Sequence, residues 1–223
     1  MGYYPILVEL AGKTVLVVGG GGIAQRKVEG LLGFGALIHL VSKSLTSKLN
    51  KLVEEKKVGY LGEEFREEYL EGAALVIAAT NDRQLNHKIS ESARKRHLLV
   101  NAVDQPLDCS FIFPSIVNRG DLLIAISTSG KSPALAKKIR KQLEAQFGNE
   151  YAKFLVLMGR LRKEILSKEL SQEENSRIFH KIIDSSILEF MSKGDWKAVE
   201  ATLRRLLPWD LAIEDLLEGF GVC

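Results

Sequence analysis

At 223 residues, 46% hydrophobic and 26% charged, with a mean hydropathy of +0.01, the chain has the composition of a globular protein large enough for one domain and an appendage. No apolar run approaches the roughly 20 residues of a membrane span, and no basic stretch followed by an apolar core marks a secretory leader. Cys109 and Cys223 are the only cysteines, which predicts a reducing, cytoplasmic setting and argues against a disulfide scaffold.

The net charge of +3 is unevenly spread. Residues 119–141 carry six basic side chains (Arg119, Lys131, Lys137, Lys138, Arg140 and Lys141) against Asp121 alone. Residues 151–223 are near balance, with eleven basic and twelve acidic side chains. The tail is therefore a poor nucleic-acid arm, and no nucleic-acid or membrane partner is expected. The middle segment reads either as a surface for an anionic ligand or as a solvated helix face.

In chain order, β-branched apolar runs at 14–18, 37–41, 58–61, 75–79 and 98–100 predict strands. Helical patterns near 24–33, 46–56 and 83–96 lie between them. Strand–helix alternation of this kind predicts a parallel sheet with right-handed crossovers. Unbroken apolar runs fit strands buried on both faces. The rhythm changes after Asn101. Asp104 to Ser110 reads as a loop, leading through Phe111-Ile112-Phe113-Pro114 to a strand at 122–127. Ser132-Pro133 then opens a helix running to about Phe147. From Tyr151 the pattern is helical throughout, in 151–166, 178–191 and 196–207. The expected class is α/β: a Rossmann-type domain over 1–113, a linking strand–helix segment over 114–148, and a small all-α domain over 149–223. The broad apolar faces of the last helices suggest burial against a second subunit.

The first strand breaks into Gly19-Gly20-Gly21-Gly22-Ile23-Ala24, a G-x-G-x-x-A string between a strand and a helix start. That context favours a dinucleotide loop, the alternative being a glycine-rich turn that serves only packing. Gly19 can take the positive φ of the turn, Gly21 admits the pyrophosphate, and Ala24 permits close helix–strand packing. The N–H groups opening the helix face the anion.

Ligands of an open parallel sheet sit beyond the carboxyl ends of its strands. Those ends are Gly19–Ile23, then Ser42-Lys43-Ser44, then Thr80-Asn81-Asp82, then Asn101 to Asp104. Thr80 and Asn81 are candidates to bond a ribose or phosphate. The acid that commonly holds an NAD ribose about 20 residues past the first glycine is missing; His39 to Lys43 stand there instead. Lys43 fits either a 2′-phosphate, hence NADP, or a ribose held by hydroxyl and backbone groups. Asp104 is the best-placed candidate base for proton removal during hydride transfer. A turn-forming role before Gln105-Pro106 is the alternative, and Asp108 and Asp82 compete for the catalytic one. His39, His87, His97 and His180 lack zinc-ligand spacing, so no metal site is expected. The hydroxyl-rich Ser127-Thr128-Ser129-Gly130-Lys131-Ser132 reads either as a helix cap or as a cradle for carboxylates.

Taken together, several segments resemble the precorrin-2 dehydrogenase family, the N-terminal module of siroheme synthases. They are Tyr4-Pro5, Gly12-Lys13, the glycine loop with Ala24 and Arg26-Lys27, Val76 to Asp82 with Asn86, and Val100 to Asp104. Ser110 to Ile116, Arg119-Gly120 and Ile126 to Pro133 with Ala136 complete the likeness. It covers residues 3–145. The resemblance implies oxidation of precorrin-2, a polycarboxylate tetrapyrrole, to sirohydrochlorin with NAD as hydride acceptor. Some members also insert ferrous iron. The family's catalytic aspartate falls on Asp104 and its nucleotide contacts on Gly22, Ile23, Lys43 and Ser44. Its substrate region falls on Ser127, Thr128, Ser129 and Lys131, with Arg119 in the basic segment. Some relatives carry a phosphorylated serine at the position of Thr128. Ser129 stands where many have glycine. The family implies a homodimer interlocked through the segment after the Rossmann domain. Ending at Cys223, the chain is expected to lack the methyltransferase domain of multifunctional relatives, so that another protein supplies precorrin-2. The rival reading is a sensor that binds NAD(H) without turnover; the basic segment favours an anionic substrate.

Overall fold

In the computed structural model, which describes residues 2–207, 209 and 212–220, the chain separates into two compact units, Met1–Phe113 and Pro114–Cys223. Cys223 lies outside the described residues.

The first unit is a five-stranded parallel sheet of order β3-β2-β1-β4-β5. Its strands are β1 (Thr14–Val18), β2 (Leu37–Val41), β3 (Val58–Gly62), β4 (Ala73–Ala78) and β5 (Leu99–Ala102). Helices α1 (Gly22–Leu32), α2 (Ser47–Glu54) and α3 (Arg83–Lys95) connect them, with a 3₁₀ turn at Glu67–Leu70 between β3 and β4. Successive residues of β1 point to opposite faces. Val15 and Val17 join Ala24 and Val28 of α1 and Leu49 of α2 in one core. Leu16 and Val18 join Ile89 and Ala93 of α3 in the other. Two covered faces explain why β1 reads as an unbroken apolar run. β4 starts and ends earlier than its apolar run, and β5 extends through Asn101 to Ala102.

The second unit opens with an antiparallel hairpin, β6 (Ser115–Arg119) and β7 (Leu122–Ile126), turned at Gly120 with φ +64°. β6 was not expected: only Val117 of its five residues is buried, so its sequence lacks a strand's apolar signature. Helices α4 (Pro133–Gln146) and α5 (Glu150–Leu166) follow, then α6 (Gln172–Ile183), α7 (Ile187–Lys193), α8 (Trp196–Leu206) and α9 (Ile213–Leu217).

Two differences from the sequence pattern have local causes. The single helical stretch at 178–191 is two helices, because Ser185 turns its hydroxyl back to the Ile182 carbonyl at 2.6 Å and ends α6. The polar first turn of α6 carries no apolar period. It is held by a reciprocal capping box between Ser171 and Glu174. Phe154, Leu157, Leu161 and Ile165, spaced along one face of α5, pack with Ile182, Ile187, Val199 and Leu203. These helices bury much of their apolar surface on one another, while Val156, Leu166 and Ile183 stay exposed.

Candidate nucleotide-binding site

Gly19 and Gly20 are required by their neighbours. Gly19 has φ +122°, and a Cβ there would lie 2.2 Å from the Ala79 carbonyl oxygen of the adjacent strand end. A Cβ on Gly20 would lie 2.0 Å from the Ser44 carbonyl oxygen. The backbone is locked there: Gly19 N donates to Val41 O at 2.8 Å, and Thr46 N donates to Gly20 O at 3.0 Å. Gly21 and Gly22 face open space, with nothing within 4 Å of where a methyl group would sit. The first helical bond is Gln25 N to Gly21 O, and Gly21 caps α1 without a side chain. The N–H groups of Gly22, Ile23 and Ala24 are thus left pointing out of the helix start. Ala24 is fully buried under the sheet. Tight packing on one side and an open row of donors on the other suits a pyrophosphate.

Beyond β2, the Ser42 hydroxyl donates to Ser44 O at 2.8 Å, and Tyr60 OH donates to Ser42 O at 2.9 Å. Lys43 pairs with Glu64 at 3.5 Å, both side chains largely exposed. An acid absent from the sequence around 39–43 is thus brought beside Lys43 from beyond β3.

Beyond β4, Thr80 has a structural occupation. Its hydroxyl lies 2.7 Å from Oδ1 of Asn86, which is 1% exposed, and Asn86 Nδ2 donates to Thr80 O at 3.0 Å. This knot fixes the bend from β4 into α3. Asp82 accepts from Gln84 N and Leu85 N as the N-cap of α3, which removes it from the contest for a base. Asn81 is exposed.

Beyond β5, Asn101 donates through Nδ2 to Phe111 O at 3.0 Å, so its amide ties the returning chain to the sheet. Asp108 is paired with His87 at 2.7 Å and is likewise not a free base. Asp104 differs: it is exposed, holds a left-handed backbone with φ +58°, and no hydrogen bond or ion pair occupies its carboxylate among the described residues. One half-buried cation was not picked out as a site residue in the sequence. Lys27 Nζ lies 3.5 Å from the Phe113 ring centroid. Burial, with the Arg26 charge adding to it, lowers its pKa to about 8. The apolar context that buries it comes from residues far along the chain.

In the second unit, Ser127 Oγ accepts from Ser129 N, and Thr128 Oγ1 accepts from Ser132 N at 3.1 Å. Ser129 sits at φ +51°. These are helix-entry contacts, and Lys131 is exposed beside them. Arg119 is turned elsewhere: Nε donates to Phe147 O at 2.8 Å and Nη2 to Glu144 O at 3.1 Å, closing the carboxyl end of α4. That structural use departs from the expected contact with substrate.

Sheet order, glycine loop and open helix start define an NAD(P)-binding protein of the Rossmann class. Residues 6–115 match the family model described as putative NAD(P)-binding, and residues 119–146 match the model described as the central part of a sirohaem biosynthesis protein. The siroheme synthase of Photorhabdus laumondii is 39% identical over 222 residues, covering 99% of this chain and 47% of that protein. That of Neisseria meningitidis serogroup C (strain 053442) is 41% identical over 207 residues, covering 93% and 43%. The chain thus spans less than half the length of these relatives. The solved structure of SirC, a precorrin-2 dehydrogenase, superposes with a TM-score of 0.73 at 28% identity, covering 92% of this chain and 98% of that one. The chain is thus similar over nearly its whole length to siroheme synthases and to a precorrin-2 dehydrogenase, and it carries an NAD(P)-binding domain.

Proposed function

We propose that the protein oxidises precorrin-2 to sirohydrochlorin with NAD, which passes to NADH with release of a proton. The observation carrying this reading is the likeness to a solved precorrin-2 dehydrogenase across nearly the whole of both chains. Gly19 to Ala24 hold the pyrophosphate through backbone donors, and Lys43, Ser44 and Asn81 lie toward the ribose and nicotinamide portions. Bound NAD supplies the hydride acceptor. Asp104, unencumbered at the carboxyl edge of the sheet, accepts the proton lost as hydride departs. Thr80 and Asn101 shape the crevice through the backbone they fix. Thr128, Ser129 and Lys131, with the basic face of α4, are the proposed contacts for the substrate's carboxylates. A homodimer is proposed as well, supported by β7, whose Leu122, Leu123 and Ile124 are only half-buried in a two-stranded sheet.

Insertion of iron into sirohydrochlorin has less support, since the relatives named siroheme synthase match over less than half their length. The test is anaerobic incubation with precorrin-2 and either NAD or NADP, following NADH absorbance and sirohydrochlorin together. Joint appearance with NAD is expected, and Asp104→Asn should cut turnover by about 100-fold or more with NAD affinity retained. NAD binding by the folded protein without turnover would favour the sensor reading. Ferrous ion added to the product, with and without protein, reports on iron insertion.

A further inference from the structure

The segment bearing Asp104 is fastened to α3 by an unusual density of side-chain contacts. His87 Nδ1 lies 2.7 Å from Asp108 Oδ1, and the other carboxylate oxygen of Asp108 accepts from Gln105 Nε2 at 2.8 Å. The same Gln105 amide donates to the Arg83 carbonyl at 3.1 Å, while its Oε1 is buried without a partner among the described residues. Its orientation is therefore set by its donors alone. Ser90 Oγ donates to Asp108 O, and Arg94 Nη2 reaches the carbonyls of Leu107 and Cys109, each at 2.9 Å. Gln105 follows Asp104 directly, so two hydrogen bonds, His87 to Asp108 and Asp108 to Gln105, run from α3 to the residue beside the free carboxylate.

Asp104 needs such support. A left-handed backbone costs an aspartate less than most residues, but still roughly 1 kcal/mol relative to ordinary conformations. The turn is closed by Gln105 N to Ala102 O at a long 3.3 Å. Left to itself, this turn would relax and carry the carboxylate with it.

We propose that His87 and Asp108 are positioning residues for Asp104, holding it at the sheet edge through Gln105. The proposal rests on the reading of Asp104 as the proton acceptor. The groups facing His87 are Asp108 from the turn and Glu91 on its own helix, with Oε1 3.7 Å from Nε2. Arg94 lies along the same turn, and the Cys109 thiol adjoins Asp108. The Asp108 contact and charge, aided by Glu91, raise the pKa of His87. The positioning is therefore complete while His87 is charged and weakens as pH rises through its raised value.

The test uses the full chain. In ¹H–¹³C spectra, His87 should titrate above the ordinary histidine range and fall back toward it in Asp108→Asn. His87→Ala should lower kcat about tenfold with KM for NAD unchanged. His87→Gln, which keeps a donor but cannot titrate, should retain most of kcat and lose the alkaline decline expected of the wild type. Wild-type kcat and pH profile in both His87→Ala and Asp108→Asn, with Asp104→Asn inactive, would overturn the proposal alone. A kcat loss matched by the loss of folded protein would also overturn it, as a merely structural effect. Full turnover in Asp104→Asn would remove the reading of Asp104 and this proposal together.

Discussion

The Cα of Gly19 stands so close to Ala79 that a methyl group there would sit 2.2 Å from the Ala79 carbonyl oxygen. β1 and β4 are hydrogen-bonded neighbours at this point, joined by Ala79 N to Val18 O at 2.7 Å, so neither backbone can yield. Gly19→Ala combines that collision with a positive φ and should destabilise the fold by about 2 kcal/mol or more. Gly21→Ala meets open space and should melt within a degree or two of wild type, yet bind NAD at least about tenfold more weakly by filling the cofactor's approach. Thermal melts paired with NAD titration separate the two. Equal NAD affinity in Gly21→Ala and wild type would contradict the placement of the pyrophosphate.

In the proposed nucleotide site Lys43, which pairs with Glu64 at 3.5 Å, lies toward the ribose. The exposed pair adds little stability. Its effect on selectivity should be larger, because in that site Glu64 would repel a 2′-phosphate and already engages the Lys43 ammonium. Glu64→Gln should improve kcat/KM for NADP several-fold relative to NAD, more at low ionic strength than high. An unchanged ratio at low salt would remove the pair from coenzyme choice.

Lys27, with a pKa lowered to about 8, is about half neutral at pH 8. The folded protein then binds fewer protons at this site than the unfolded chain, whose lysine titrates near 10.4. Stability should therefore rise with pH across this interval on account of Lys27. Lys27→Met should flatten that rise. Labelling with an amine-directed reagent at pH 8 should single out Lys27 over exposed lysines in rate per accessible amine.

Arg119 spends its guanidinium on the carboxyl end of α4. Arg119→Met strips hydrogen bonds from the Phe147 and Glu144 carbonyls and should cost about 1–3 kcal/mol in urea denaturation. KM for the tetrapyrrole should stay near wild type. A raised KM without loss of stability would return Arg119 to the substrate surface.

The contrast between Gly19 and Gly20 marks how far one dimension reaches. The positive φ of Gly19 follows from the turn between a strand and a helix, a property of adjacent residues, and the motif announces it. The alternation of β1 between two cores is equally local, and so are the strand–helix rhythm and the Ser132 cap. Gly20 is a glycine because Ser44, on the neighbouring connection, closes over it. Arg119 reaches a helix end 28 residues later, and His87 meets Asp108 across 21. Such partners are chosen by which elements the sheet order brings side by side. Backbone conformation and periodicity are written in near neighbours, whereas the occupation of a polar side chain depends on who arrives beside it once the chain has packed.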